Sequence, residues 1–299
     1  MGQEAESMRN PIPRVVTIHD ISGIGRTSLT AAIPVLSSMG IQPVPLPTAV
    51  LSTQTVGTTG FTFLDLTQNM KDMLDHWIAR GDRFEGVYSG FMACPDQMDT
   101  VARCIETCML KGGLAVVDPV LGEDGQLIPT MTADMVRRLI GRADVITPNY
   151  TEVCLLLDVP YDREPDMDLL KGYLRELSLM GPGVVVGTSM PLTKNPLGEW
   201  EYSSILAYEK SIDKFWRLDC SYLPAHYPGT GDIFASVLTG SLLLGSSLSL
   251  AIDKAEQFDT LCVRDTYGQD RDTTEGVLLE RYLPSLRMPL PGCRCVLVN

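Results

Sequence analysis

Gly229-Thr230-Gly231-Asp232 runs directly into the apolar stretch Ile233-Phe234-Ala235. Paired glycines let backbone N–H groups come close to an anion. The apolar run after them reads as a helix, whose first N–H groups and dipole favour negative charge. Asp232 then stands at the helix start, beside any phosphate held there. A carboxylate in that place is suited to take a proton from a hydroxyl that attacks phosphorus. The same pattern also suits an aspartate capping a helix after a glycine-rich turn.

The elements that would position these residues follow from periodicity and punctuation. Residues 14–19 form a short β-branched run, read as a buried strand. Ser22-Gly23-Ile24-Gly25-Arg26 is a flexible turn, and 27–39 reads as a helix closed by Gly40. Strand, glycine turn and helix make up part of a dinucleotide fingerprint. The third glycine is missing, however, and no acidic residue closes a second strand, so an NAD site is not expected. Pro43, Pro45 and Pro47 punctuate an extended stretch, 44–50, that suits an edge or a lid. The polar run 51–60 is a loop, its hydroxyls either solvated or facing a ligand.

Alternation then becomes regular. Helices are expected over 65–79, 95–111, 132–140, 151–157 and 168–180, with strands at 86–89, 114–117, 144–146 and 184–186. Segments 199–206 and 214–218 read as an antiparallel pair. The glycine-rich turn and its helix come next, then helices over 249–265 and 274–286. Repeated strand–helix units call for a mostly parallel sheet covered on both faces, and ligands gather at the carboxyl ends of such strands. Those ends carry His19-Asp20, Ser89-Gly90, Asp118-Pro119, Thr147-Pro148-Asn149 and Thr188-Ser189. The expected class is α/β: a doubly wound, mostly parallel central sheet with helices on both faces and a small extended lid or edge segment. One domain over 1–299 is expected, with 1–12 as a flexible N-terminus.

Charge and cysteine usage narrow the function. A net charge of −13 argues against nucleic acid and against an anionic membrane, both of which want a basic face. An acidic enzyme can still hold a nucleotide, because bound metal and local backbone donors set the field at the site. The eight cysteines form no C-x-x-C pair, and the three histidines are scattered, which argues against a structural zinc site. Residues 1–10 are polar with no apolar leader, so a reducing cytoplasm with free thiols is expected. Twenty uncharged residues lie between Asp232 and Asp253, long enough to span a bilayer. Gly240, Gly245 and three serines divide them, and no basic anchors flank them. Two core helices joined at Gly245 are expected.

Taken together, Gly229-Thr230-Gly231-Asp232, Asp118-Pro119-Val120-Leu121-Gly122 and Ile146-Thr147-Pro148-Asn149-Tyr150-Thr151-Glu152 resemble the ribokinase superfamily. Within it they are most similar to the pyridoxal/pyridoxine/pyridoxamine kinases, over nearly the whole chain. The resemblance implies ATP-dependent phosphorylation of the 5′-hydroxymethyl group of a B6 vitamer, with Mg²⁺ and a monovalent cation such as K⁺, by a homodimer. It implies an anion hole of Gly229, Thr230 and Gly231, with Asp232 as base. Asp118, Asn149 and Thr188 would line the nucleotide, and Asp118 and Glu152 would organise magnesium and its waters. Asp20, Gln54 and Thr55 fall where the vitamer ring is held.

Several of these residues have plainer readings. Asp118 could cap a turn, Asn149 is a common turn residue after proline, and Glu152 suits a helix start by its charge alone. His226 either closes over the substrate or is a loop histidine. Three positions depart from the family pattern: Asp20 stands in place of serine, Gln54 of histidine and Glu123 of aspartate. The phosphoryl-transfer parts are intact, while the vitamer is left open. Other readings are a hydroxymethylpyrimidine kinase, a sugar or nucleoside kinase, and a non-catalytic vitamer- or nucleotide-binding protein on the same fold.

Overall fold

Strands covered on both faces carry apolar residues at successive positions, each face taking alternate side chains. A computed structural model of the chain shows this arrangement. It describes residues 11–123, 125–128, 132–162, 164–194, 200–201, 204–220, 223, 225–269, 273–290 and 292–298. In chain order the elements are β1 (Arg14–Ile18), β2 (Ile21–Ile24), α1 (Ser28–Ser38), β3 (Gln42–Pro45), β4 (Ala49–Thr53), β5 (Phe63–Asp65), α2 (Thr67–Arg80), β6 (Phe84–Ser89) and α3 (Pro95–Cys108). They continue with β7 (Met109–Val117), β8 (Gly122–Glu123), β9 (Gln126–Leu127), α4 (Ala133–Ile140), β10 (Val145–Ile146), α5 (Tyr150–Leu157), α6 (Met167–Leu179) and β11 (Val184–Met190). The last are β12 (Thr193–Lys194), β13 (Trp200–Glu201), β14 (Ser204–Glu209), β15 (Lys214–Asp219), α7 (Thr230–Leu243), α8 (Leu248–Tyr267) and β16 (Val296–Val298).

Nine strands join in the order β16-β15-β14-β11-β10-β7-β6-β1-β3. From β3 to β11 all neighbours are parallel, and β14, β15 and β16 add an antiparallel edge. Val16, Val87, Ala115, Val117, Ile146 and Val185 face a core built with α2 to α6. Val15, Tyr88, Val116, Val145 and Val186 face the opposite core, under α1, α7 and α8. The lid is a separate sheet, β2-β4-β5, with Ile24, Val50, Phe63 and Leu64 exposed.

The structure departs from the sequence expectations at identifiable places. Residues 274–286 do not form a helix but three short 3₁₀ turns, Thr273–Glu275, Leu279–Arg281 and Leu283–Arg287. Gly276, at φ +75°, and Pro284 interrupt α-helical bonding there. The helix expected over 95–111 stops at Cys108, and β7 starts at once. Part of the 22–26 turn is strand β2, and the start of the 51–60 loop is strand β4. The pair expected at 199–206 is displaced: β14 begins at Ser204 and pairs with β15, while β13 pairs with β12. Glu199 and residues 1–10 lie outside the described residues. The uncharged run is two helices, α7 and α8, parted near Gly245 at φ +86°. Among the described residues no helix is long and apolar enough to cross a membrane.

Candidate active site

The parallel strands all end on one side, and a cavity of about 990 Å³ runs across those ends. Every residue singled out for chemistry, from Asp20 to Asp232, borders it. Gly229 caps α7 in the left-handed conformation, φ +88°. A Cβ there would sit 2.0 Å from the Arg26 carbonyl oxygen, so only glycine fits. Gly231 is the opposite case, since its Cβ would meet nothing within 4 Å. Its backbone is bare toward the cavity, where the first N–H groups of α7 have no intrahelical acceptor. Thr230 Oγ1 donates to the Tyr227 carbonyl at 3.2 Å.

Asp232 lies in the first turn of α7, its side chain 16% exposed. Its Oδ2 accepts the Ser28 N–H at 2.8 Å, and its Oδ1 is 3.7 Å from His19 Nδ1. Burial pushes the carboxyl up to about 7; the Ser28 N–H opposes the shift, and the charges of Asp118 and Asp20 add to it. His19 offers no cation in return. It is wholly buried, neither ring nitrogen has a hydrogen-bond partner among the described residues, and burial lowers its pKa to about 3. A neutral ring beside a carboxylate leaves the base with only neutral donors.

Asp118 and the linked pair Asn149 and Glu152 lie at the ends of β7 and β10. Asp118 Oδ1 accepts from Thr147 Oγ1 at 3.0 Å. Asn149 is the N-cap of α5: its Oδ1 accepts the Glu152 N–H at 2.9 Å, and Glu152 Oε2 accepts the Asn149 N–H at 2.9 Å. Glu152 Oε1 accepts the Leu121 N–H at 2.7 Å, and Asn149 Nδ2 donates to the Gly122 carbonyl at 2.9 Å. The capping box thus ties α5 to the loop after β7. Burial raises both carboxyl pKa values, and for Asp118 the charge of Glu152 adds to the effect. Thr188 donates its N–H to the Pro148 carbonyl at 2.9 Å, which holds β11 beside this turn.

The residues expected to hold the substrate ring divide in two. Asp20 borders the cavity, but Oδ1 accepts from Ser28 Oγ at 2.6 Å and Oδ2 from Ser22 Oγ at 3.3 Å. Burial raises its pKa against those bonds. The Gln54 amide nitrogen donates to the Val56 and Thr274 carbonyls, each at 2.7 Å, while Oε1 accepts the Val56 N–H at 2.6 Å. Gln54 therefore fastens the lid loop to the turn at 273–275. Thr55 borders the cavity without that commitment. His226 is 62% exposed, with Nε2 3.6 Å from Glu123 Oε1.

Several features of the cavity escape the sequence patterns. Ser28, Val120 and Ser189 border the cavity in the left-handed region, at φ +52°, +40° and +51°. Such backbone is costly for a β-branched valine and clusters at functional sites. Phe61, Phe63 and Phe91 add aromatic wall. Glu256, Asp259, Thr260 and Val263 border the cavity from α8, a helix whose pattern reads as core packing. Acidic residues spaced three apart, Asp253, Glu256 and Asp259, were the available signal.

Comparison with known proteins places the chain in a family. The phosphomethylpyrimidine kinase family profile matches residues 25–275. A Bacteroides thetaiotaomicron protein assigned as a phosphomethylpyrimidine kinase is 44% identical; its rhombohedral form covers 98% of this chain and 100% of its own, with a TM-score of 0.91. Its orthorhombic form, which contains pyridoxal, gives a TM-score of 0.89 over 96% of this chain and 100% of its own. Pyridoxal kinase from Lactobacillus plantarum is 30% identical, covering 92% and 96% of the two chains with a TM-score of 0.81. The pyridoxine/pyridoxal/pyridoxamine kinase of Bordetella avium is 27% identical over 252 residues, 82% of each chain. The chain belongs to the phosphomethylpyrimidine kinase family and, with these relatives, to the vitamin B6 kinases of the ribokinase superfamily, enzymes that phosphorylate an alcohol group.

Proposed function

We propose that the enzyme transfers the γ-phosphoryl group of ATP to the 5′-hydroxymethyl group of a B6 vitamer. The observation that carries this is Asp232, a buried carboxyl pushed up to about 7 at the first turn of α7, beside Gly229-Thr230-Gly231 and facing the cavity. A base poised near neutral pH takes the hydroxyl proton as the oxygen attacks. The N–H groups at the start of α7 offset charge on the transferring phosphoryl oxygens. The Ser28 N–H holds Asp232 in place, and the lid with its phenylalanines keeps water from the reacting oxygen. Asn149 and Thr188 line the nucleotide phosphates. Gln54 serves the lid rather than the ring, and Thr55, Asp20 and His226 border the vitamer's end. The Bacteroides protein of 44% identity, crystallised with pyridoxal, supports the choice of vitamer.

A magnesium ion fits this site. Asp118, partly buried, and Glu152, buried, are carboxyls whose charges oppose each other, with neutral hydrogen-bond donors around them. Both Glu152 oxygens already accept backbone N–H groups, so Glu152 would hold the ion through water and Asp118 would stand closer. When bound, the ion neutralises phosphate charge. In this reading the enzyme works as a homodimer in the cytoplasm. The free state of all eight cysteines agrees with a reducing compartment.

A second reading, hydroxymethylpyrimidine as acceptor, is favoured by the family profile itself. Both acceptors carry a hydroxymethyl group on an aromatic nitrogen ring, so Asp232 would serve either. ADP release with Mg²⁺ against pyridoxal, pyridoxine, pyridoxamine, hydroxymethylpyrimidine and ribose separates them. The expected outcome is the highest kcat/KM on a B6 vitamer. A higher value on hydroxymethylpyrimidine, or no turnover of any vitamer, overturns the proposal.

A further inference from the structure

The strand order gives the cavity a direction. Asp232 and Asp20 lie by the end of β1, Asp118 follows β7, Asn149 follows β10, and Thr188 sits on β11. Beyond β11 the wall is made by Cys220, just after β15, by Leu223, and by α8 through Asp259 and Val263. A nucleotide whose terminal phosphate meets Asp232 and whose phosphates cross β7, β10 and β11 sets its base between Cys220 and α8.

Cys220, Leu223 and Val263 make that wall partly apolar, and three of the carboxylates on α8 differ in their partners; of these, Glu256 and Asp259 border the cavity. Asp253 and Glu256 are bound by Arg294: the Arg294 N–H donates to Asp253 Oδ2 at 2.9 Å, Nε donates to Asp253 Oδ1 at 2.7 Å, and the guanidinium also meets Glu256. Glu256 Oε1 further accepts from Thr260 Oγ1 at 2.6 Å. Asp259, one turn on from Glu256, has no such partner. Its Oδ1 is shut off from solvent and has no hydrogen bond among the described residues. A buried polar atom left in that state is costly unless a ligand supplies its partner.

Resting on the kinase assignment above, we infer that Asp259 recognises the nucleobase, its carboxyl group bonding the edge of adenine that carries the 6-amino group. That edge offers an N–H donor next to a ring-nitrogen acceptor, and a neutral carboxyl offers the matching acceptor and donor. Burial, with the charge of Glu256 adding to it, pushes Asp259 up to about 8, so the group keeps its proton at neutral pH. Guanine would instead present two N–H donors and call for an ionised carboxylate. Glu256, fully engaged by Arg294 and Thr260, supports the wall and does not read the base.

The test is calorimetric binding of ADP, GDP and purine riboside 5′-diphosphate, which lacks the 6-amino group, to the full chain. Wild type is expected to bind ADP about tenfold more tightly than purine riboside diphosphate, the worth of one hydrogen bond to a buried group. Asp259→Asn keeps one donor and one acceptor and should keep that ratio. Asp259→Leu should bring the ratio close to one through weaker ADP binding, with the melting temperature of the ligand-free protein no lower than that of wild type. Equal wild-type affinities, tighter binding of GDP than ADP, or a ratio unmoved in Asp259→Leu overturns the inference. ADP selection without vitamer phosphorylation would sink the proposed reaction and leave this inference standing. Vitamer turnover with no base preference would do the reverse, and failure to bind any of the three nucleotides would overturn both.

Discussion

Helices α7 and α8 are consecutive in the chain, yet the charge of Asp232 on α7 and that of the Asp253–Glu256 pair on α8 are treated in opposite ways. On α8, Asp253 and Glu256 are locked to Arg294 from the segment before β16. On α7, Asp232 receives only a backbone N–H and faces a neutral histidine. A carboxylate with a permanent guanidinium partner is spent on holding the fold. One surrounded by neutral donors keeps its affinity for protons, which a general base needs. The partner therefore separates the two roles better than burial does, because all three residues are buried or nearly so.

The largest effect expected of breaking this contrast is on the α7 side. Asp232→Asn should lower kcat by about 10²–10⁴-fold, the worth of general-base help, with nucleotide affinity roughly unchanged. Steady-state turnover with a saturating vitamer decides it. A variant keeping more than about a third of wild-type turnover would remove Asp232 from the role assigned by general-base reasoning.

On the α8 side the loss should appear in stability. Arg294→Leu strands Asp253 and Glu256 without their cation. Breaking a buried pair costs about 3–5 kcal/mol. Because the Arg294 side chain is 44% exposed, about 2 kcal/mol is expected here. Urea unfolding measures it, and adding Asp253→Asn with Glu256→Gln should return most of the loss. An unchanged midpoint in Arg294→Leu would show that the clamp is ornamental.

The smallest effect sharpens the comparison through pH. An unfolded aspartate titrates near about 4, whereas Asp232 in the fold is pushed up to about 7. Between those values the folded chain holds a proton that the unfolded chain has released. The contribution of this group to stability is present below the lower value and is lost as pH rises through the upper one. The ligand-free enzyme should therefore lose stability across that window, by no more than about 1.4 kcal/mol per pH unit for one proton. Over the same window kcat/KM should rise, since the base must be ionised. Asp232→Asn should flatten that part of the stability curve, and an identical curve would place the titration elsewhere.

What could be read in advance was local. Gly229-Thr230-Gly231-Asp232 carries its turn, its cap and its carboxylate within four residues, and strand ends such as Thr147-Pro148-Asn149 announce themselves by punctuation. The α/β alternation followed from the same short-range signals. The features that escaped depend on distant partners. His19 looks like any strand-end histidine until Gly90 and Tyr88 enclose it. Gln54 gives no local sign that its amide reaches the Thr274 carbonyl, 220 positions away. Arg294 meets Asp253 across 41 positions, and nothing near either residue signals the pairing. Residues 274–286 carry a helix-like apolar pattern, but the turn at Gly276 packs under the Pro228 carbonyl, 2.9 Å from where a Cβ would stand. Tertiary contact overrides propensity there.

The carbonyl of Arg26 pressed against Gly229 belongs to a knot of three distant segments. The Arg26 N–H bonds the Glu275 carbonyl at 3.1 Å, and its Nε bonds Glu280 at 2.7 Å, 254 positions away. Contacts of that separation close late and slow the search for the native state. During synthesis the first strand and its helix can form early, and the glycine turn meets Arg26 as it emerges, but Glu275 and Glu280, which fasten Arg26, arrive only some fifty residues later. The catalytic centre is thus fastened late in synthesis, and a nascent chain that stops before Glu275 lacks the strap that holds Arg26 against Gly229.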